Sequence, residues 1–448
     1  MALITEVNYE IAIYLLTALI AIPLLLYRPH FILYINILNT QFRIFHGKIA
    51  LGVVNIYAKD LMFLLLILSL FIIIIKNILA KNNCFKFPDK AKFITILVVV
   101  YIGLQFAYLL TALWQGLPVD SSIRRFLQYS DCFYFFLPLF FLKDKKQLTN
   151  LLIFIIIASC AYPIYQFHNF SLASKQFMTS SDTVRIVGSQ SLCILGIAVV
   201  AILLWIRGVS QYVLVMMPIL SIALTGHRSG YLALGITLLF LFLWLKQIRK
   251  ILYFTYITSF FLIVSFTFLN TYYQYDFFRD TLIRASDTFN VANPTTMARF
   301  YAIRDNLIIF LKKPLIGIGY NYECIPSLLP DYLKMGPKFE GMVAAEFNVL
   351  HPHNFFMWFL SHTGIIGTSL ISSIIISLFK KCHGWIHYAK FNLNSIGIFF
   401  FCSLLFFILI TLMNDNFFSN GYIFWTMSGI IVFSCGRTLE SVPQAKNT

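Results

Sequence analysis

The sequence predicts an all-α polytopic membrane protein of about 12 transmembrane helices with one large, partly helical loop on the outer side. Three observations carry that reading. Hydrophobic residues fill 59% of the 448 positions and charged residues only 12%, whereas a soluble domain holds roughly 45–50% apolar and about 25% charged residues. The mean hydropathy is +0.79. Long apolar runs recur, many approaching the ~20 residues that cross a bilayer and each punctuated by Lys, Arg, Gly, Pro or Asn. None of them shows the alternation of a membrane β-barrel.

In chain order the predicted spans are 11–27, 61–75, 93–114, 126–142, 148–165, 191–206, 212–224, 231–245, 251–269, 355–379, 396–413 and 422–433. The first follows Glu6 and Glu10 rather than a basic leader and has no small-residue cleavage site, so it reads as a retained helix. Residues 31–56 read as an outside connection whose 31–38 run is partly buried. Lysines at 76–92, 143–146, 246–250, 380–390 and 446 fall on one side of this alternation. By the positive-inside rule that side is the cytoplasm, and both termini lie there. Four parts follow: N-terminal helices (1–190), central helices carrying an Arg228 hairpin (191–269), the large outer loop (270–353) and C-terminal helices (354–448).

The two basic residue types are distributed differently. The predicted outer face holds 10 of the 13 arginines but only 7 of the 21 lysines. Topology needs no cation outside, whereas a guanidinium fork matches phosphate oxygens in a way that an ammonium does not. An outward site for a phosphorylated ligand explains the bias. In the outer loop eight acids face eight bases, so ion pairing with Asp or Glu is the competing reading for each loop arginine. Arg228 differs, sitting in the short hairpin Thr225-Gly226-His227-Arg228-Ser229-Gly230 with no acid beside it in sequence. Arg124, Arg125 and Arg185 are further outer-face candidates for diphosphate or glycan.

Within the spans the ionisable groups are few, notably Asp131 and His362, which argues against an ion-coupled transporter. The eight cysteines lie mostly in apolar or cytoplasmic segments, so neither a disulfide framework nor a cysteine metal site is expected. Chemistry concentrates at the end of the loop, in His351-Pro352-His353-Asn354-Phe355. Pro352 halts the preceding chain, Asn354 is a good N-cap, and an apolar run starts at Phe355. A histidine there meets the positive end of the helix dipole, which favours a neutral imidazole and a general base. The same end attracts anions. A metal pair of His351 and His353 is disfavoured, because they flank a proline and lack a close third ligand beyond Glu346.

These residues resemble those of bacterial O-antigen ligases. His353-Asn354, nine residues, then Gly364-Ile365-Ile366-Gly367 is similar to one family element, and Arg228-Ser229-Gly230-Tyr231-Leu232 to its Arg-x-x-x-Leu element. Met297-Ala298-Arg299-Phe300 and Pro314-Leu315-Ile316-Gly317-Ile318-Gly319 resemble its loop arginine and Pro-Leu-x-Gly-x-Gly turn. The aromatic that often follows the loop arginine is Ile303 here. Wzy-type polysaccharide polymerases share these motifs. The resemblance implies a metal-independent, inverting glycosyltransferase without a cofactor, moving a glycan from a polyprenyl-diphosphate-linked donor to an acceptor sugar hydroxyl, on lipid A core or another glycan. His353 would be the general base or an acceptor-orienting residue, Arg228 and Arg299 would grip the diphosphate, and Asn354 would belong to the same site. The implied setting is the outer face of the bacterial inner membrane, among membrane lipids and without nucleic acid. A lipid-linked glycan flippase is the alternative from another class.

Overall fold

The computed structural model describes residues 31–42, 48–51, 54–57, 67–72, 74–75, 91–142, 145–173, 191–224, 227–244, 253, 294–334, 338–339, 342–350, 354–388, 391–413 and 417–437. The expected span 11–27 and, apart from residue 253, the expected span 251–269 lie outside the described residues, as do Arg185 and His353.

The described chain is overwhelmingly helical, with two short antiparallel hairpins, β1 (Lys48–Leu51) with β2 (Val54–Tyr57) and β3 (Lys338–Phe339) with β4 (Met342–Val343). Before the outer loop come α1 (Phe31–Phe42), α2 (Lys92–Trp114), α3 (Val119–Tyr129), α4 (Phe136–Phe141), α5 (Lys145–Ala173), α6 (Leu192–Trp205), α7 (Val209–Leu224) and α8 (Arg228–Trp244). The loop contributes α9 (Pro294–Lys312), α10 (Ile325–Leu328), α11 (Asp331–Lys334) and α12 (Ala344–Leu350). The C-terminal part holds α13 (Phe355–Tyr388), α14 (Phe391–Met413) and α15 (Phe417–Arg437).

Among the described residues, four helices are long and apolar enough to cross a membrane: Lys92–Trp114, Lys146–Gln166, Phe355–His387 and Ser395–Leu412. Shorter apolar helices are Leu192–Trp205, Val209–Ile222, Ser229–Trp244 and Gly421–Cys435. These eight agree with eight of the expected spans.

The core is built around α6. Every residue from Leu192 to Leu203 is buried, as a helix apolar on all sides must be. It runs antiparallel to α14: the Phe406 ring crosses Gly196, where a side chain would collide with it, and Trp205 meets Phe399 at 4.7 Å. α13 and α14 form an antiparallel hairpin, with Phe379 against Phe401 at 4.9 Å near one end and Asn354 against the Leu412 carbonyl at the other. α15 closes the bundle, placing Trp425 5.3 Å from Tyr101 of α2.

Two expectations change. Residues 126–142 are not one span: α3 ends at Tyr129, a 3-10 turn covers Ser130–Phe135, and α4 follows. The Ser130 hydroxyl donates to the Leu127 carbonyl at 2.6 Å, a local bond that competes with the helical ladder. Hydropathy cannot see this. The 31–42 stretch, expected as an outside connection, is a helix laid along α5, with Tyr34 against Phe154 and the Gln41 amide donating to the Ser159 hydroxyl at 2.9 Å.

Candidate functional site

Among the described residues the longest helix, α13, is broken, and the loop that precedes it fills the break. At Gly364 α13 adopts φ 62° and ψ −164°, a backbone conformation essentially confined to glycine. The break leaves carbonyls without helical partners on one side and amides on the other. The turn after α9 supplies both sets. Ile318 N–H donates to Ser361 O at 3.1 Å and Gly319 N–H to His362 O at 2.8 Å, while Ile365 N–H donates to Pro314 O at 2.8 Å and Ile366 N–H to Leu315 O at 3.2 Å. The Tyr108 hydroxyl, from α2, lies 3.0 Å from Ile316 O and 3.1 Å from Thr363 O, with one proton for the two. Contact is backbone to backbone, so a Cβ on Gly317 would strike the His362 carbonyl and one on Gly364 the Leu315 carbonyl. The Pro-Leu-x-Gly-x-Gly and Gly-x-x-Gly elements therefore meet each other.

Beside the break stands a buried column of rings. Tyr320 stacks on Tyr129 at 5.3 Å, Tyr129 on Trp358 at 4.8 Å, and Trp358 on His362 at 4.1 Å. Tyr322 meets His362 edge-on at 5.2 Å, and its hydroxyl is 2.6 Å from that of Tyr129. The Tyr320 hydroxyl donates to Gln105 at 2.8 Å. Arg125 fixes the outer end, donating to the Tyr320 carbonyl with its guanidinium 4.1 Å from the centre of the Tyr322 ring. Burial pushes the Tyr322 phenol up to about 12, although the Tyr129 hydroxyl and Arg125 pull the other way. Burial also raises Tyr320. Both stay protonated at neutral pH.

A second polar cluster joins α9, α12 and α13. Asp305 is fully buried, takes Arg304 through Nε and Nη2 at 2.8 and 2.7 Å, and accepts from Asn348 at 2.8 Å. Asn306 donates to the Ala302 and Asn348 carbonyls and accepts from the Ser361 hydroxyl at 2.5 Å. Ser361 also lies 2.8 Å from His362 Nδ1.

This cluster fixes direction. Asn306 of α9 meets Ser361, and Pro314 just beyond α9 meets Ile365, so α9 and the first part of α13 run parallel. Arg299 lies seven residues before Asn306 and Asn354 seven before Ser361, about 10 Å along each axis. Both are then at the same end. Asn354 caps α13 as expected: Met357 N–H donates to its Oδ1 at 3.1 Å, and its Nδ2 donates to Leu412 O at 3.2 Å. Arg228 opens α8 at that end too, because a Cβ on Gly230 would sit 3.0 Å from Leu192, the first residue of α6, beside the C-terminal half of α14. Arg299 is exposed, Arg124 and Arg125 are half-buried on α3, and His353 directly precedes the capping Asn354.

Residues 212–372 match the model of the O-antigen ligase family. That stretch is similar to O-antigen ligases. No curated protein matches. The matched stretch spans α7 to the early second part of α13, so it includes Arg228, Arg299, the turn and its receiving break. The family fits a glycan-transfer role for a membrane protein of the bacterial envelope, with a lipid-linked glycan and an acceptor as substrates in general terms.

Sequence reasoning missed the supports of the matched stretch. Tyr108, Gln105 and Tyr129 come from outside it and carry no motif. Asp305 read as an ordinary loop acid, and it does pair with Arg304, but inside the protein. His362 was visible as a rare ionisable group in an apolar run; its Nδ1 faces Ser361 and the Trp358 carbonyl.

Proposed function

We propose that the chain is a membrane glycosyltransferase that moves a glycan from a polyprenyl-diphosphate carrier to an acceptor sugar hydroxyl at the outer face of the inner membrane, as an O-antigen ligase does. The acceptor oxygen forms a bond to the anomeric carbon as the bond from that carbon to the phosphate oxygen breaks. The electron pair leaves with the diphosphate, the configuration inverts, and His353 takes the hydroxyl proton. Arg228 and Arg299 meet the charge that grows on the leaving diphosphate. Arg124, Arg125 and Arg185 serve the glycan or diphosphate further out. No metal enters this reaction.

The observation that carries the reading is the parallel register of α9 and α13, with Arg299 and the capping Asn354 each seven residues ahead of the Asn306–Ser361 bond. It holds a guanidinium-bearing turn level with the residue next to His353. A broken helix also occurs in transporters, where the break lines the substrate path. Here turn backbone fills the break and satisfies its amides and carbonyls, which favours fixed-site chemistry over a flippase path.

The test uses purified full-length protein and a lipid-linked donor. His353→Ala is expected to abolish transfer while the variant keeps the wild-type melting temperature, and transfer surviving in that variant would remove His353 from the reaction. The Wzy-type polymerase reading differs only in acceptor. Loss of a ligase leaves full-length polymer on its carrier above bare core, whereas loss of a polymerase leaves core capped by one repeat unit, so a surface-glycan gel separates them.

A further inference from the structure

α9 turns a stripe of large apolar side chains away from the protein. The inward face mixes Ala302 and Ile309 with Asp305 and Asn306, all fully or nearly fully buried. The face turned out carries Phe300, Leu307 and Leu311 at spacings of seven and four, a single helical stripe continued by Leu315 in the turn. These four side chains are between 42% and 69% exposed. A helix facing water would place apolar residues inward and polar ones outward, and a stripe of this kind marks contact with something apolar.

Two observations identify the contact. The turn carrying Leu315 is bonded through backbone to Ile365 and Ile366, which are themselves about half exposed and begin the second part of α13, within a helix long and apolar enough to cross a membrane. The stripe thus continues onto a face suited to lipid. Lys312 and Lys313, both exposed, stand at the C-terminal end of the stripe, and Arg304 is exposed along it. Basic groups flanking an apolar stripe suit a boundary between acyl chains and anionic headgroups.

We propose that α9 and the turn after it face phospholipid, with Phe300, Leu307, Leu311 and Leu315 at the boundary of the bilayer. The occupant of this face is phospholipid. The assignment does not depend on glycosyl transfer, but it would bring Arg299, on the second turn of the same helix, to headgroup depth, where a lipid-linked diphosphate resides.

Full-length protein in phosphatidylethanolamine–phosphatidylglycerol vesicles tests it. An environment-sensitive dye is attached through Leu307→Cys or Leu311→Cys, with Ser327→Cys, an exposed polar position of the same loop, as reference. Phospholipid brominated near the headgroup is expected to remove most of the emission at 307 and 311 and little at 327, with aqueous iodide doing the reverse. Iodide quenching at 307 and 311 equal to that at 327 overturns the proposal, as does dye-to-dye transfer between copies without bromolipid quenching, which would assign the face to a second chain. Should a labelled variant fail to fold, the unsubstituted protein is cross-linked with a photoactivatable phospholipid. Adducts on the peptide containing 300–315 support the proposal, and adducts confined to other helices overturn it.

Discussion

At the scale of single residues, two glycines of one helix should respond in opposite directions. Gly364 occupies a conformation closed to other residues and would push a side chain into the Leu315 carbonyl. Gly364→Ala is expected to lose roughly 1–3 kcal/mol from backbone strain alone, and more from the collision. Gly384 has open space where a side chain would go, so Gly384→Ala is expected to gain about 0.5–1 kcal/mol by helix propensity. Thermal unfolding in detergent compares them, and equal melting temperatures would sink the strain account. The phenol of Tyr322 makes a separate prediction. Its folded-state value lies above the ordinary 10, at about 12, because burial penalises the phenolate. A raised value means that the folded state holds the proton more tightly, so this contribution is complete below pH 10 and is lost as pH rises from 10 through 12. Melting temperature should fall over that window, and less steeply in Tyr322→Phe. The same slope in both proteins would show that Tyr322 does not contribute.

At the scale of elements, the turn 314–319 and the break at Gly364 form one unit held at its edge by the Tyr108 hydroxyl. Tyr108→Phe removes the donor for two carbonyls inside the protein and is expected to cost about 1–3 kcal/mol. Mass-spectrometric amide exchange should find faster exchange in the peptide holding Ile318 and Gly319, whose amides face the broken helix, with α6 unchanged. Unchanged exchange there would show that Tyr108 does not secure the turn. The helices themselves were legible in the sequence, since apolar runs and the Asn354 cap gave both ends of α2, the start of α13 and the end of α14, while α13 runs on to Tyr388 and α14 starts at Phe391. The break was not. Glycine is common in apolar helices, and nothing local to Gly364 states that a turn some fifty residues earlier occupies its backbone partners. Residues 126–142 failed for a related reason: composition gave an apolar average, while the Ser130–Leu127 bond and the 3-10 turn decided the geometry.

At the scale of the molecule, α6 and α14 set the level of α8, the α13 cap rests on α14, and the Asn306–Ser361 bond sets α9 against α13. This chain of contacts brings Arg228, Arg299 and Asn354 to one end of the bundle, although they are spread over 127 positions. The motifs were readable singly, but their common level depends on Asp305, Asn348 and Ser361, whose partners lie 43 and 55 residues apart and leave no periodic trace. If Arg228 and Arg299 hold the same diphosphate, their contributions cannot be independent. Once one guanidinium is gone the leaving group shifts and the other loses much of its effect, so losses in kcat/KM should fall short of additive in a double-mutant cycle. For Arg228→Ala, Arg299→Ala and the double variant, we expect a coupling of about 0.5–3 kcal/mol, the range for groups in one network. Strict additivity in the purified enzyme, with all three variants folded, would mean that the two arginines act on different parts of the substrate. Replacement by Lys sharpens the result. An ammonium restores charge but not the two-point fork, so Arg299→Lys should recover only part of the loss if the diphosphate is held through paired N–H groups.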